Sequence, residues 1–91
     1  MTPLYMLIYD YVDDYLERRE PVRPEHIALI REQYAAGLLT QAGAFGDGAP
    51  GAVIVFTTEA AAIAFPGRDP YVSSGVVSDW RVRQWNTVPL G

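Results

Sequence analysis

Two segments of the sequence have apolar side chains at both odd and even positions, which limits the folds that the chain can adopt. The segments are PLYMLIYDYV, residues 3–12, and AVIVFTT, residues 52–58. Their aliphatic, β-branched and aromatic residues predict strands. In an antiparallel sheet with one solvent-exposed face, the strands alternate apolar and polar residues. Because these two do not alternate, we expect a sheet with helices on one face and a further partner on the other.

The remaining segments complete a βαββαβ order. A helix is predicted from Pro21 to Ala36, with Pro24 in its first turn, where a missing N–H is tolerated, and Gly37 ends it. The other predicted elements are an exposed connection at 13–21, a strand at 38–45, a hairpin loop at 46–51, a helix at 58–65 capped by Thr58, a turn at 69–74 and a strand at 76–88. This order predicts an α+β fold of the split βαβ type, a four-stranded antiparallel sheet with two helices on one face.

Length and composition limit the classes of protein to which the chain can belong. The 91 residues predict a single domain over 1–91, and 49% hydrophobic with 20% charged residues is typical of a globular protein. The absence of cysteine excludes thiolate chemistry and favours a cytoplasmic protein. We expect no signal peptide and no membrane span. A net charge of −4 argues against nucleic acid as a partner.

The face of the sheet that the helices leave uncovered predicts a homodimer. We expect this face to carry the tyrosines of the first strand, Tyr5 and Tyr9, with Trp80 or Trp85. An apolar patch of that size is unusual on a monomer, and packing two sheets face to face would bury both patches. The alternative is that the tyrosines lie half-exposed on a monomer.

The single histidine lies near the start of the first predicted helix. Helical spacing places Ile27, Ile30 and Tyr34 on the stripe that faces the sheet, which puts His26 on the flank of that stripe at the rim of the core. A lone histidine at such a place is usually a packed side chain with its ring nitrogens satisfied by backbone groups. The functional alternative is a general acid or base, since imidazole exchanges protons near neutral pH.

An aspartate precedes Pro70 in the turn after the second helix. Asp-Pro pairs commonly begin turns, and the carboxylate of Asp69 could simply cap neighbouring backbone N–H groups. Both predicted helices lie on the same face of the sheet, however, so this turn can approach the first helix. A carboxylate bonded to one imidazole nitrogen fixes the tautomer and makes the other nitrogen a better proton acceptor. The topology therefore permits a pair between His26 and Asp69.

Three further side chains are candidates for contact with a substrate. Arg23, one helical turn before His26, could bind an anionic substrate or pair with Glu20 at the surface, and the surface pair is favoured. Tyr9 and Tyr71 suit the wall of a pocket for an aromatic ligand, although packing in the core explains them equally well.

Serine and metal chemistry are less well supported. Ser73 is a candidate substrate contact and, with His26 and Asp69, supplies the residue types of a catalytic triad. No G-x-S-x-G motif is present, so nucleophilic catalysis is not expected. One histidine and scattered carboxylates lack the spacing of known ligand sets, so no metal site is expected.

The sequence resembles the YCII-related (YciI-like) family, small dimeric proteins of ferredoxin-like α+β fold similar to muconolactone isomerase. The resemblance covers nearly the whole chain and is carried by YMLIYDYVDDYLERREPVRPEHIALI, GLLTQAGAFGDGAPGAVIVF and DPYVSSGVVSDWRVRQWNTV. In that family the helix histidine and the turn aspartate are regarded as an active-site pair, which implies His26 and Asp69 here. Activities associated with the family include steps in the breakdown of chlorinated aromatics. The sequence departs from the family pattern at AFPGR, where Pro66 and Gly67 shorten the second helix.

Together these features favour a cofactor-free enzyme acting on a small molecule. His26 would shuttle a proton and Asp69 would orient it, in an isomerisation, elimination or hydrolysis next to a carbonyl group. The resemblance to the family implies an intermediate in the breakdown of aromatic compounds as one candidate substrate. The alternative is a non-catalytic dimeric module that binds a small ligand or supports another protein, with a structural His–Asp pair.

Overall fold

The first strand lies inside a four-stranded antiparallel sheet and pairs along its length with a strand on either side. In sequence the strands are β1 (Thr2–Tyr11), β2 (Leu39–Ala44), β3 (Gly51–Phe56) and β4 (Val77–Thr87), and their spatial order is β2-β3-β1-β4. The structure is a computed structural model that describes residues 1–46 and 48–91. Position 47 of the predicted hairpin loop lies outside the described residues.

The helices pack on one face of this sheet. They are α1 (Tyr15–Arg19), α2 (Arg23–Ala35), α3 (Glu59–Ala64) and α4 (Pro70–Ser73), with a 3-10 turn at Phe65–Gly67. The predicted α+β, ferredoxin-like fold is confirmed. Helix α1 falls in the segment predicted as an exposed connection, and α4 in the segment predicted as a turn. Within the described residues, no helix is both long enough and apolar enough to cross a bilayer.

The end of α3 determines where Asp69 lies. The Thr58 hydroxyl accepts a hydrogen bond from the N–H of Ala61 at 3.1 Å, which confirms the predicted cap. The helix stops before Pro66, as predicted, and the chain continues as the 3-10 turn. The backbone N–H of Asp69 then donates to the carbonyl of Phe65 at 3.1 Å. The early break therefore holds Asp69 one turn beyond the helix.

The core fills the space between the sheet and the helices. Its side chains come from the odd positions of β1 and the even positions of β3, together with the helices; the largest are Leu7, Tyr9, Tyr11, Ile54, Phe56, Leu29, Phe65 and Tyr71. The tyrosines of β1 thus face the helices, and the expectation that they lie on the uncovered face was wrong. Buried tyrosines need partners for their hydroxyl groups, and the helical layer supplies one for Tyr9.

The uncovered face of the sheet carries the even positions of β1 instead. Leu4, Met6 and Ile8 lie there, with Met6 opposite Val55 and Ile8 opposite Val53 of β3. Trp85 pairs with Leu4 and so belongs to this face, whereas Trp80 pairs with Tyr9 and lies on the helix side. Trp85 is 45% exposed. The prediction of a second apolar face therefore holds, with aliphatic side chains in place of the tyrosines.

Helix α2 is rotated relative to the predicted orientation. Tyr34, expected to face the sheet, is 64% exposed, and the buried residues are His26 and Leu29. His26 thus lies in the centre of the stripe that contacts the core. The rotation leaves Ile27 and Ile30 half-buried beside a cavity. The His26 ring can face the core in this orientation because it has a polar partner there.

A glycine allows β1 and β3 to approach each other closely. A Cβ atom at Gly51 would collide with the backbone carbonyl oxygen of Tyr9. We expect Gly51→Ala to lower the free energy of unfolding by about 1–3 kcal/mol because the backbone must shift. Gly43→Ala, at an open position on the adjacent strand β2, is the matched control and should change it by less than about 1 kcal/mol. Urea denaturation measures both, and equal midpoints for the two variants would contradict the prediction.

Candidate active site

The carboxylate of Asp69 is almost completely buried at the start of α4. Asp69 is the N-cap residue of that helix, and its Oδ1 accepts a hydrogen bond from the backbone N–H of Tyr71 at 3.0 Å. The residue is 1% exposed. The capping function considered for this aspartate is therefore present. One backbone donor is a small fraction of what a buried carboxylate requires, because its two oxygens can accept about four hydrogen bonds.

Two side chains from distant parts of the sequence supply further contacts. Nδ1 of His26, on α2, lies 2.8 Å from Oδ1 of Asp69. The hydroxyl of Tyr9, on β1, donates to Oδ2 of Asp69 at 2.8 Å. Tyr9, considered a candidate wall of the pocket, is instead fully buried behind the carboxylate. Asp69 thus links β1, through Tyr9, to α2, through His26, and to α4, through the backbone of Tyr71.

The hydrogen-bond partner of the imidazole determines its tautomer. An ionised carboxylate only accepts hydrogen bonds, so Nδ1 of His26 carries the hydrogen in the contact with Asp69. In the neutral ring this leaves a lone pair on Nε2. Nε2 has no hydrogen-bond partner among the described residues, and it is not one of their fully buried unpaired atoms. Since the ring lines the cavity, Nε2 is the atom available to a ligand.

Aromatic stacking fixes the plane of the histidine ring. The rings of His26 and Tyr71 are parallel within 2°, with centroids 3.6 Å apart. Tyr11 packs edge-on against Tyr71 at 6.0 Å and 78°. The imidazole is therefore held by a hydrogen bond in its plane and by an aromatic ring on its face, so it has little freedom to rotate away from the cavity.

A cavity of about 280 Å³ lies between α2 and the sheet. Its lining residues are Tyr11, Arg19, Arg23, His26, Ile27, Ile30, Ala42, Gly43, Ala44, Ala52, Ile54 and Tyr71. Small residues form the side contributed by β2 and the start of β3, and isoleucines line the side formed by α2. The run QAGA in β2 was a sequence signal for this space, because alternate alanines leave one face of a strand without bulky side chains.

Two arginines line the same cavity as the histidine. Arg23 was expected to pair with Glu20, but no ion pair joins them in the described part of the chain, and Arg23 lines the cavity. Arg19 was missed by sequence reasoning because its segment was predicted to be an exposed connection. Its guanidinium lies 5.5 Å from the centroid of the Tyr15 ring. No helical spacing relates Arg19 to His26 across the break between α1 and α2.

The tyrosines around the site remain protonated at neutral pH. Burial and the adjacent Asp69 carboxylate raise the pKa of Tyr9, and burial together with the charge of Tyr71 raises the pKa of Tyr11. Burial also raises the pKa of Tyr71, while the positive charges of Arg19 and Arg23 act in the opposite direction. The Tyr9 hydroxyl is therefore a stable donor to Asp69.

The remaining predicted residue lies outside the cavity. Ser73 is exposed at the end of α4, and its hydroxyl donates to the carbonyl of Pro70 at 3.4 Å. It does not line the cavity because the single turn of α4 directs it towards solvent, while Tyr71 points inwards. Among residues 1–46 and 48–91, no three histidine or carboxylate side chains are grouped as metal ligands.

An exposed ion pair links the two segments that carry His26 and Asp69. Arg68 donates to both carboxylate oxygens of Glu32 on α2, at 2.7 and 3.1 Å. Both side chains are more than half exposed, so the pair contributes little to stability. Like the buried contact between His26 and Asp69, this pair joins α2 to the segment that precedes α4, but it lies at the surface of the molecule.

Comparison with known proteins identifies a family and solved structures of like fold. The model of the YCII-related domain matches residues 3–86. No curated protein matches the chain in sequence. A solved structure of 5-chloro-2-hydroxyhydroquinone dehydrochlorinase from Burkholderia phenoliruptrix AC1100, in complex with 2,5-dihydroxybenzoquinone, superimposes with a TM-score of 0.76. The superposition covers 91% of this chain and 93% of that chain at 18% sequence identity, and this likeness establishes the shared fold.

The buried Tyr9 hydroxyl provides a test of the network around Asp69. We expect Tyr9→Phe to lower the free energy of unfolding by about 1–3 kcal/mol, because Oδ2 of Asp69 would lose a donor in the core. Tyr34→Phe removes the hydroxyl of a tyrosine that is 64% exposed and should have an effect within about 0.5 kcal/mol. Urea denaturation of both variants measures the difference. A Tyr9→Phe variant as stable as the wild type would argue against the network.

Proposed function

The chain belongs to the YCII-related domain family, and we propose that it is an enzyme that transfers a proton on a small ring compound. His26 is the general base in this proposal, and Asp69 is the positioning residue that orients it. The observation that carries the proposal is the contact of 2.8 Å between Nδ1 of His26 and the buried Asp69 carboxylate. This contact leaves the opposite ring nitrogen, Nε2, free to accept a proton from a ligand in the cavity.

The residues around the histidine suit it to acquire a positive charge during the reaction. When Nε2 of His26 takes a proton, the carboxylate of Asp69 stabilises the imidazolium, and the parallel ring of Tyr71 offers its negative face to it. The carboxylate itself stays in place because Tyr9 and the backbone N–H of Tyr71 donate to it. The site is organised before substrate enters, which is what electrostatic catalysis requires.

Elimination is the reaction that this arrangement and the fold together favour. His26 removes a proton from a ring carbon next to a carbonyl group, or from an enol hydroxyl conjugated with it. The electron pair of the broken bond forms a new double bond, and the leaving group departs with its own bonding pair. The proton on Nε2 then returns to solvent, so the net products are the unsaturated ring and HX. This step needs no cofactor. Support comes from the solved structure of like fold, which is named a dehydrochlorinase and holds a quinone ligand.

We also propose that the protein forms a homodimer through the uncovered face of its sheet. This face is apolar at its centre, with Met6 and Ile8 opposite Val55 and Val53, and Trp85 at one margin is about half exposed. A second copy of the same face would bury these side chains by packing sheet against sheet. The cavity lies on the opposite side of the sheet, so the dimer would leave its entrance open to a small molecule.

Catalysis can be tested with 5-chloro-2-hydroxyhydroquinone as a probe, by measuring chloride release with oxygen excluded. We expect His26→Gln to lower the rate about 10²- to 10⁴-fold, because no other group replaces the base. Asp69→Asn should also lower the rate, since an amide can no longer enforce the same tautomer. Ser73→Ala is the control and should retain the wild-type rate. A wild-type chain that binds the probe without releasing chloride would favour the non-catalytic binding module.

Assembly can be tested by sedimentation at micromolar concentration. We expect a mass about twice the 10.1 kDa of the chain. Met6→Glu would place a charge in the centre of the uncovered face and should produce monomers, whereas Ala28→Glu, at an exposed position on α2, should not. A wild-type protein that sediments as a single monomeric species would refute the dimer.

A further inference from the structure

We propose that Arg19 and Arg23 form an oxyanion-binding subsite in the cavity, and that the ligand is therefore a single-ring compound with an ionised oxygen. The inference rests on the proposed function, because it names the class of substrate that the His26 site would accept. Both arginines line the cavity of about 280 Å³ that also contains the histidine ring.

Among residues 1–46 and 48–91, neither of these two arginines forms an ion pair with a carboxylate. Three other arginines have such a partner: Arg18 with Asp14, Arg68 with Glu32 and Arg81 with Asp10. Arg31 and Arg83 form no ion pair in the described residues either, but neither lines this cavity. The chain has 11 acidic and 7 basic residues, so carboxylates are not scarce. Two guanidinium groups that line one cavity, with no ion-paired carboxylate in the described part of the chain, favour an anion as its occupant.

Arg19 is held in place within the protein. It is half-buried, its guanidinium stacks over the ring of Tyr15, and its Nε is fully buried without a hydrogen-bond partner among the described residues. A partly desolvated cation with no carboxylate paired to it among the described residues is incompletely compensated. An oxyanion in the cavity would compensate its charge through the terminal nitrogens, in the geometry that guanidinium groups favour.

The two arginines and the histidine line the same cavity. Tyr71 lines the cavity beside both arginines, and their charges offset part of the rise that burial causes in the pKa of Tyr71. The ring of Tyr71 is stacked on that of His26 at 3.6 Å. An oxygen bound by the arginines would thus hold the attached ring close to Nε2.

The dimensions of the cavity limit the rest of the ligand. Its volume of about 280 Å³ lies just below the range of about 300–1,000 Å³ for sites of drug-sized ligands, which suits one ring rather than a nucleotide. Ala42, Ala44 and Ala52 contribute only methyl groups, and Ile27 and Ile30 line the side formed by α2. This combination fits a flat ring with its anionic group at the arginine end.

The test compares two probes that have the same shape and different charge, benzoate and benzamide. Binding of each is measured by calorimetry or by NMR titration of the full chain. We expect the wild type to bind benzoate at least about tenfold more tightly than benzamide, as for a charge-assisted hydrogen bond. Arg19→Gln and Arg23→Gln should each reduce this preference. Arg18→Gln, on the same short helix but paired with Asp14 at the surface, is the matched control and should retain it.

Two further variants keep the test decisive. Arg19→Lys retains the charge and should keep part of the preference, which distinguishes loss of the cation from loss of folding. His26→Gln should also keep the preference, because the arginines are its source. Equal affinity for the two probes, no binding of either, or a preference that survives both Arg19→Gln and Arg23→Gln would overturn the inference. The proposed function is tested separately by chloride release. A His26→Gln variant that releases chloride at the wild-type rate would contradict that function.

Discussion

The structure depends on the burial of one carboxylate. Asp69 is 1% exposed, and it accepts hydrogen bonds from Tyr9 on β1, His26 on α2 and the backbone of Tyr71 on α4. Removing a carboxylate from water costs several kcal/mol unless such donors replace the lost solvent. The three donors come from separate elements, so the carboxylate is satisfied only when the sheet and both helices are in place. The site and the packing of the fold are therefore one network.

Several features of the fold follow from this network. Tyr9 faces the helices because its hydroxyl donates to Asp69, and with it the odd positions of β1 form the inner face of the sheet. Helix α2 presents His26 to the core, and this leaves Tyr34 in solvent. In the described chain the only buried polar or charged residues are His26 and Asp69. Because the two side chains must stay within hydrogen-bonding distance of each other, the pair fixes the position of α2 relative to the start of α4.

The same arrangement divides the surroundings of the histidine into a fixed side and an open side. Nδ1 of His26 faces the buried carboxylate, whereas Nε2 is left for the cavity, where Arg19 and Arg23 contribute positive charge. Small side chains on β2 leave room on this side for a flat ligand. In the function that we propose, these features supply a positioned base, an apolar slot and a cationic end for proton transfer on a small anionic ring. The apolar outer face of the sheet is the surface that we propose packs against a second copy.

The sequence by itself determined the order of the four strands and of the helices α2 and α3, the Thr58 cap, the break before Pro66 and two apolar faces on β1, because each depends on the periodicity or chemistry of neighbouring residues. It also identified His26 and Asp69 as residues that the topology could bring together. It did not predict the short helices α1 and α4. Only the tertiary structure decided the rotation of α2, the place of Tyr9 behind the carboxylate and the presence of Arg19 in the cavity. These features are set by contacts between residues as many as 60 positions apart. Helical periodicity cannot specify them, because a polar side chain such as His26 enters the core only when a distant partner compensates its burial.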